Sequence, residues 1–207
     1  MDSDHEAVIA WTQKVVQDVP AGDKIAQAVA LYLAVRDSFR YNPYEVDLRP
    51  EAMKASHQLG KESGYCIEKA NLLGACARVL GIPARLGFAD VRNHIGTERL
   101  EAFLGTDILT FHGYTDLYLE GRWVKATPAF NEALCSKLGV EPLEFNGRED
   151  SIFQEYDQEE GRFMEYLADH GTFHEWPREA FIASIKAHYP KLFAQNPERP
   201  LDKSALP

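Results

Sequence analysis

The chain has 207 residues, of which 45% are hydrophobic and 26% are charged. This composition is typical of a globular protein with a buried core, and it argues against wholesale disorder. Lys and Arg number 22 against 32 Asp and Glu, so the formal net charge is −10. This acidic balance disfavours nucleic-acid binding and docking on anionic membranes, because both require basic residues.

The apolar runs and the cysteines predict the cellular location. No stretch approaches the roughly 20 apolar residues that span a bilayer, and Met1 to Glu6 lacks the basic start of a signal peptide. Cys66, Cys76 and Cys135 include no Cys-x-x-Cys pair, which fits a reducing compartment better than a disulfide framework. We therefore expect a cytoplasmic protein. We also predict that it uses neither a cofactor nor a metal ion.

The N-terminal third is predicted to be helical. Apolar residues recur at helical spacing from Val8 to Val19, and the stretch from Pro20 to Gly22 interrupts this helix. Asp23 is a favourable N-cap for a second helix, whose apolar positions extend from Ile25 to Phe39. The pattern therefore predicts two helices before the first strand.

The stretch from Cys66 to Leu80 predicts a third, mostly apolar helix. Gly81 suits a left-handed C-terminal cap, and Pro83 prevents the helix from continuing. A helix this apolar is typical of the centre of a fold. Cys66 falls in its first turn, where unpaired N–H groups and the helix dipole favour an anion. We therefore expect the pKa of this thiol to be lowered.

Strand-like segments follow the central helix. Ala84 to Val91 is the first, and Tyr114 to Leu119 is joined to Arg122 to Ala126 by the two-residue hairpin signal Glu120-Gly121. The roughly twenty residues from Arg92 to Phe111 are expected to form a long functional or mobile loop.

The segment after Pro128 carries less regular patterns. Arg162 to Leu167 is a candidate strand, and Arg178 to His188 is predicted to form a helix after Pro177. The prolines between Asn196 and Pro207 indicate a frayed tail. We assign no chemistry to this part of the chain.

Cys66 and His112 are the residues most suited to chemistry. A cysteine nucleophile needs a base that takes its proton and later delivers it to the leaving group, and histidine is the usual base. His112 stands just before the predicted hairpin, where a strand can hold an imidazole rigidly. The residues alone leave two interpretations open, because a free cysteine on an apolar helix face is also an ordinary core residue.

Two sequence blocks resemble a known family. The first is Ser-Gly-Tyr-Cys-Ile-Glu-Lys-Ala-Asn-Leu-Leu at 63–73 with Ala-Arg-Val-Leu-Gly-Ile-Pro-Ala-Arg at 77–85, and the second is His-Gly-Tyr-Thr-Asp-Leu-Tyr-Leu-Glu-Gly-Arg-Trp-Val at 112–124. They resemble the nucleophile helix and the histidine hairpin of the transglutaminase-like superfamily. Cys66 and His112 lie 46 residues apart, a spacing that this family accepts, and the resemblance covers about 31–131.

The resemblance implies a papain-like α+β fold, in which the helix that carries the cysteine packs on an antiparallel sheet. A single domain would span 1–195, with N-terminal helices, a core at about 31–131 and a C-terminal extension at about 132–195, before a frayed tail at 196–207. Family members cleave or transfer amide acyl groups through a thioester. Carried over by position, Cys66 would be the nucleophile and His112 the general base and acid.

The third catalytic position departs from the family pattern. The family usually has Asp fifteen residues after the histidine, where this chain has the uncharged Thr127. Three outcomes are open. Thr127 orients His112 in a slower enzyme, the side-chain carbonyl of Asn131 takes over this role, or the chain is an inactive binding or scaffold domain.

Other candidate residues rank lower. Asp116 is either an acid partner of the histidine or a solvated charge, and His94 is a competing base in the long loop. His170 and His174 are expected on a surface loop rather than at a metal site. Trp123 is expected in the core or on the wall of the acyl site.

Charge also bears on the substrate. A net charge of −10 and the lack of a recognisable basic cleft favour hydrolysis of a small or neutral peptide-like amide over transamidation between proteins. Arylamine-acyltransferase-like enzymes share the same Cys-His-Asp chemistry, but the residues around Cys66 resemble transglutaminase-like proteins more closely. We therefore predict a peptide or amide substrate.

Overall fold

The computed structural model describes residues 1–94, 98–152 and 164–193, and within these ranges the chain forms eight α-helices and six β-strands. In chain order they are α1 Glu6–Val15, α2 Lys24–Ser38, β1 Arg40–Tyr41, α3 Ala55–Gln58, β2 Ser63–Gly64, α4 Cys66–Val79, β3 Ala84–Asn93, α5 Glu98–Leu104, β4 Ile108–Leu119, β5 Arg122–Ala126, α6 Glu132–Leu138, β6 Met164–Phe173, α7 Arg178–His188 and α8 Pro190–Phe193. No helix in the described ranges is long and apolar enough to cross a membrane. The expected tail at 196–207 lies outside these ranges, and the single domain at 1–195 stays a prediction.

The two N-terminal helices form as predicted and pack against α4. The Nδ1 atom of His5 caps α1 by accepting the Ala7 N–H at 3.2 Å, and the Asp23 carboxylate caps α2 by accepting the Ala26 N–H at 2.9 Å. Val8 of α1 is fully buried in an apolar cluster that both helices share with α4. These contacts cover one side of the central helix.

Helix α4 is the centre of the fold, as its apolar sequence predicts. Every residue from Cys66 to Ala77 is buried. The chain turns out of the helix at Gly81, whose φ of +72° lies in the left-handed region that favours glycine. The buried carboxylate of Glu68 accepts the Tyr65 N–H at the start of the helix at 3.2 Å, so the first turn is capped from within.

Lys69 is a fully buried charged residue within α4. Its ammonium group donates three hydrogen bonds of 2.7 to 2.9 Å to the backbone carbonyls of Arg36, Phe39 and Ala129. Three bonds occupy all three hydrogens of an ammonium group. This lysine therefore ties α4 to the end of α2 and to the loop that follows β5.

The main sheet is antiparallel, with strand order β5-β4-β3-β6. The hairpin between β4 and β5 turns at Glu120 and Gly121, whose φ values of 47° and 85° are both positive, as a type I′ turn requires. One face of the sheet packs on α4, where the Thr115 hydroxyl donates to the Ala70 carbonyl at 2.8 Å. This arrangement is the predicted papain-like α+β architecture.

The other face of the sheet carries aromatic side chains that are partly exposed. Trp123 pairs directly with Tyr118, and their exposed fractions are 38% and 41%. The guanidinium of Arg85 lies 3.9 Å from the Trp123 ring centroid. The prediction of Trp123 in the core or on the acyl site is therefore wrong. Side chains alternate between the two faces of a strand, and this position falls on the outer face.

The connection between β3 and β4 differs from the expected long loop. Strand β3 continues to Asn93, helix α5 follows at Glu98–Leu104, and β4 already begins at Ile108. In the C-terminal part, β6 extends from Met164 to Phe173 and pairs with β3, so the candidate strand at 162–167 is longer than predicted, with 162–163 outside the described residues. Helix α7 at Arg178–His188 confirms the predicted helix.

Candidate active site

Cys66 is the first residue of α4 and is only 7% exposed. Burial raises the pKa of its thiol to about 11, although the backbone N–H groups of Gly113, Ile67 and Cys66 itself act to lower it. The expected lowering of this pKa is therefore reversed. A helix end favours a thiolate, but the enclosed site removes the water that would also stabilise it, and this loss dominates.

Gly113 permits a close approach between β4 and the first turn of α4. A Cβ atom at this position would lie 3.1 Å from both the Cα and the Cγ1 of Ile67, which is tighter than almost all real contacts. A glycine here lets the backbone beside His112 lie against the backbone beside Cys66. The sequence thus brings its two candidate catalytic residues to one place through the contact of two chain segments.

His112 lies on β4 and is 2% exposed. Burial lowers the pKa of its imidazole to about 4, because a buried imidazolium would lose its hydration. Its ring lies 6.4 Å from the Phe130 ring in an edge-on arrangement. With a raised thiol pKa and a lowered imidazole pKa, both groups are neutral near pH 7.

A β-bulge directly before His112 sets the direction of the strand. Thr110 and Phe111 both lie opposite Asp90, because the register shifts between Ala89, which pairs with His112, and Val91. Phe111 has a φ of 53°, which is unusual for a residue other than glycine. Bulges of this kind next to active sites redirect the side chains that follow them.

The carboxylate of Asp90 holds this bulge in place. Its Oδ1 atom accepts the Thr110 hydroxyl at 2.6 Å and the Phe111 N–H at 2.9 Å, and it lies 2.8 Å from the Nε2 atom of His170. Burial acts to raise the pKa of Asp90, but these hydrogen bonds lower it overall. The His170 ring also stacks on Phe111 with centroids 4.2 Å apart.

Asp90 is absent from the candidates that the sequence suggests, and His170 is predicted in the wrong place. His170 lies in β6 and contacts the bulge, so its prediction on a surface loop is wrong. The contact depends on the pairing of β3 with β6, which joins residues about 80 positions apart. The available signal was an acidic residue within the apolar run Phe88-Ala89-Asp90-Val91.

Thr127 lies just beyond the last residue of β5 and is 4% exposed. Its N–H donates to the Ser151 carbonyl at 2.9 Å, and its carbonyl accepts the Tyr32 hydroxyl at 3.2 Å. Its buried Oγ1 atom has no hydrogen-bond partner among the described residues. The backbone of Thr127 is thus fixed, while its hydroxyl is uncommitted.

Asn131 precedes α6 and connects to the rim of the site. Its Oδ1 atom accepts the Tyr41 N–H at 3.0 Å. Tyr41 also lines the same cavity as Cys66. The amide of Asn131 therefore fixes the short strand β1 against the site.

Two lower-ranked candidates have partners elsewhere. Asp116 is 2% exposed and forms an ion pair with Arg85 at 2.8 Å, so it is not a solvated charge. His94 lies 3.2 Å from Glu165 and lines a separate surface cavity. In the described part of the chain, no cluster of three or more His, Cys, Asp or Glu side chains is arranged to hold a metal ion.

Cys66 and His112 line a common cavity of about 80 Å³. Apolar side chains form most of its wall, among them Leu104 of α5 and Phe111 of β4. Phe181 and Ile185 of α7 also contribute to the wall. The arrangement brings a thiol, an imidazole and helix N–H groups to one largely apolar space, which is suited to acyl transfer.

Three of the solved structures that are similar to this chain are an acetyltransferase and two protease-like proteins. An arylamine N-acetyltransferase from Salmonella typhimurium matches with a TM-score of 0.53 and 16% identity, over 89% of this chain and 71% of that one. A candidate cysteine protease from Cytophaga hutchinsonii matches with a TM-score of 0.45 and 15% identity, over 84% of this chain and 50% of that one. A candidate protease from Parabacteroides distasonis matches with a TM-score of 0.39 and 17% identity, over 57% of this chain and 22% of that one.

The comparison with curated protein sequences found no match. The chain spans about a fifth and a half of the lengths of the two protease-like structures, so their similarity concerns part of each. The family model of the transglutaminase-like superfamily matches residues 10–128, which is more than half of the chain and includes both Cys66 and His112. The chain therefore belongs to the transglutaminase-like superfamily.

Proposed function

We propose that the chain is a cysteine enzyme that cleaves or transfers an amide acyl group through a thioester on Cys66. The observation that carries the proposal is that Cys66 and His112 line one cavity at the start of a buried helix. The family membership agrees with this chemistry, since the superfamily includes cysteine proteases and acyltransferases.

His112 acts as a neutral general base in this proposal. As the Sγ–C bond forms at the substrate carbonyl, the imidazole takes the thiol proton, and it then gives that proton to the amine as the C–N bond breaks. In the second half, water loses a proton to His112 while its oxygen attacks the thioester, and the S–C bond breaks. His112 then returns the proton to Cys66, which restores the starting state.

In this proposal Cys66 and His112 are both neutral before the substrate binds, whereas other cysteine enzymes hold a preformed thiolate. Burial keeps the pKa of Cys66 above and the pKa of His112 below their ordinary values. Charge therefore develops only when the substrate is bound, and the backbone N–H of Cys66 is positioned to stabilise the oxyanion that forms on the substrate carbonyl.

The group that orients His112 is proposed to be Thr127, with Asn131 as the alternative. The Thr127 hydroxyl is buried and has no hydrogen-bond partner in the described ranges, so it is not committed to another group. A hydroxyl can accept a ring N–H but brings no charge, and removing the orienting charge of a catalytic triad slows an enzyme by up to about 10⁴-fold. The Asn131 carbonyl oxygen already accepts one N–H, and a carbonyl oxygen has a second lone pair.

Hydrolysis is the favoured outcome over transamidation. The cavity is small, and the formal net charge of −10 offers little attraction to acidic protein partners. Water reaches an enclosed thioester more readily than a lysine side chain on a folded protein. We therefore propose a small, uncharged peptide-like amide as the substrate.

Cleavage of butyryl-p-nitroanilide tests the proposal, with released nitroaniline as the readout. Wild type should release nitroaniline, Cys66→Ala should release none, and His112→Asn should be slower by roughly 10²–10⁴-fold, the usual contribution of a general base. An added primary amine should divert only a minor part of the acyl group from water. Equal activity in Cys66→Ala and wild type would refute the assignment of the nucleophile.

The second candidate function is a catalytically weakened or inactive binding or scaffold domain. Thr127 in place of an acid favours it, and so does the raised pKa of Cys66. Thr127→Asp discriminates between the two functions. A faster Thr127→Asp variant would indicate a weakened triad, whereas no cleavage by either protein would favour the scaffold.

A further inference from the structure

The cavity beside Cys66 has walls that are almost entirely apolar. Its described lining includes no Lys, Arg, Asp or Glu side chain. The hydroxyl groups of Thr110 and Tyr189 on its wall are already engaged. Thr110 Oγ1 bonds to Asp90 and Ser184, at 2.6 and 2.7 Å, and Tyr189 accepts the Thr110 N–H at 2.6 Å and donates to the Ile108 carbonyl at 3.0 Å.

The described lining therefore offers a charged group no Lys, Arg, Asp or Glu side chain as a partner. Moving an unpaired charge from water into an apolar environment is strongly unfavourable. The lining instead suits a hydrocarbon chain, which gains from leaving water. The walls thus select for uncharged, apolar groups.

The volume of the cavity limits the size of such a group. The space measures about 80 Å³, far below the roughly 300–1,000 Å³ of pockets that hold drug-sized ligands. A cavity this far below that range suits a short acyl chain rather than a long one.

Part of the cavity wall comes from α7, which follows residue 128 in the chain, where the family match ends. Phe181 and Ile185 on this helix are 3% and 6% exposed. The hydrogen bonds of Tyr189 with the backbone at Thr110 and Ile108 fasten the end of α7 to the strand that carries His112. The distance between the nucleophile and this wall is thereby fixed.

We propose that the cavity is the acyl pocket of the enzyme, that it takes a short, uncharged, apolar acyl group, and that Ile185 sets the length of that group. The proposal rests on the proposed function, since it requires a thioester on Cys66. The acyl chain points away from Cys66 toward α7. Cys66 attacks the carbonyl, and the leaving group departs on the solvent side.

Acylation by p-nitrophenyl esters tests the pocket. The probes are acetate, butyrate, octanoate and hemisuccinate, of which the last matches butyrate in carbon number but carries a charge. Released nitrophenolate gives the rate, and mass spectrometry of peptides locates the acyl group. In wild type we expect butyrate to acylate Cys66 at least 10-fold faster than either octanoate or hemisuccinate.

Two variants of α7 form a matched pair. Ile185→Ala removes three carbon atoms from the wall and should raise the ratio of octanoate to butyrate rates at least 10-fold. Ile182 packs against the same apolar cluster without lining the cavity, so Ile182→Ala should keep the wild-type ratio. Ile185→Phe should narrow the pocket and favour acetate over butyrate, which a merely unfolded protein would not do.

The possible results test the acyl pocket and the assignment of Cys66 as the nucleophile separately. Cys66 acylation at equal rates by butyrate and hemisuccinate, or a chain-length preference that Ile185→Ala and Ile185→Phe leave unchanged, would overturn the acyl pocket but leave the nucleophile intact. No acyl group on Cys66 with any of the four esters would overturn both the pocket and the proposed function.

Discussion

Replacement of His112 by Gln should change how the stability of the protein depends on pH. Burial lowers the pKa of this imidazole from its ordinary 6.5 to about 4. Between these two pH values the unfolded chain binds a proton that the folded protein does not bind. The free energy of unfolding therefore falls as the pH falls through this window.

The size of the effect follows from the two pKa values. A difference of one pKa unit is worth about 1.4 kcal/mol, so the shift from 6.5 to about 4 corresponds to about 3 kcal/mol. Between pH 7 and pH 4, wild type should lose about 3 kcal/mol more unfolding free energy than His112→Gln. The comparison uses the change within each protein, so any constant effect of the substitution cancels.

Urea denaturation at intervals from pH 7 to pH 4 measures this difference. His57→Gln, which replaces an exposed histidine, is the matched control for the loss of one imidazole. A preformed thiolate–imidazolium pair would instead raise the pKa of His112, and wild type would then lose less stability than the variant in acid. That result, or identical pH dependence of the two proteins, would refute the buried neutral pair.

Three further substitutions test the contacts that build the site. Asp90→Ala leaves the Phe111 N–H and the Thr110 hydroxyl without their acceptor, so it should lower the unfolding free energy by about 2–3 kcal/mol in urea titrations. It should also slow Cys66 acylation more than Asp90→Asn does, and equal rates would show that the bulge does not depend on this carboxylate. Gly113→Ala places a methyl group 3.1 Å from Ile67, so calorimetry should report a loss of about 1–3 kcal/mol together with slower acylation. Lys69→Met leaves three buried carbonyls unpaired and should destabilise the protein by about 3 kcal/mol or more in urea titrations, whereas unchanged stability would contradict a role for the lysine in joining α2 and α4.

The parts of the fold that the sequence predicts depend on local patterns. Helix α4 follows from a mostly apolar stretch that ends at Gly81, and the hairpin follows from Glu120-Gly121 between alternating strands. Both signals lie within the element that they specify. The family motifs add the long-range relation between Cys66 and His112, which neither periodicity nor spacing supplies.

The features that the sequence does not predict depend on contacts between distant segments. Asp90 meets His170 only because β6 pairs with β3, and no local pattern encodes that pairing. Alternation along a strand predicts two faces, but it does not tell which one is covered, and the prediction for Trp123 therefore selects the wrong face.

The pKa of Cys66 also depends on contacts between distant segments, which the sequence does not predict. The helix end that favours a thiolate is visible in the sequence as the start of an apolar helix. The burial that outweighs it arises from β1, β4 and α7, which enclose the thiol after folding. Reasoning from the sequence therefore identifies the effect of the helix end correctly, but it predicts the wrong direction for the net pKa shift of Cys66.

The location of the acyl group after reaction with p-nitrophenyl butyrate tests the central claim most directly. Peptide mass spectrometry distinguishes Cys66 from Cys76 and Cys135, which are also free and buried and serve as internal controls. We expect one butyryl group on Cys66 in wild type, slower labelling of the same residue in His112→Asn, and no thioester in Cys66→Ala. A butyryl group on Cys76 or Cys135 at the same rate, or undiminished labelling in Cys66→Ala, would contradict the assignment of Cys66 as the nucleophile.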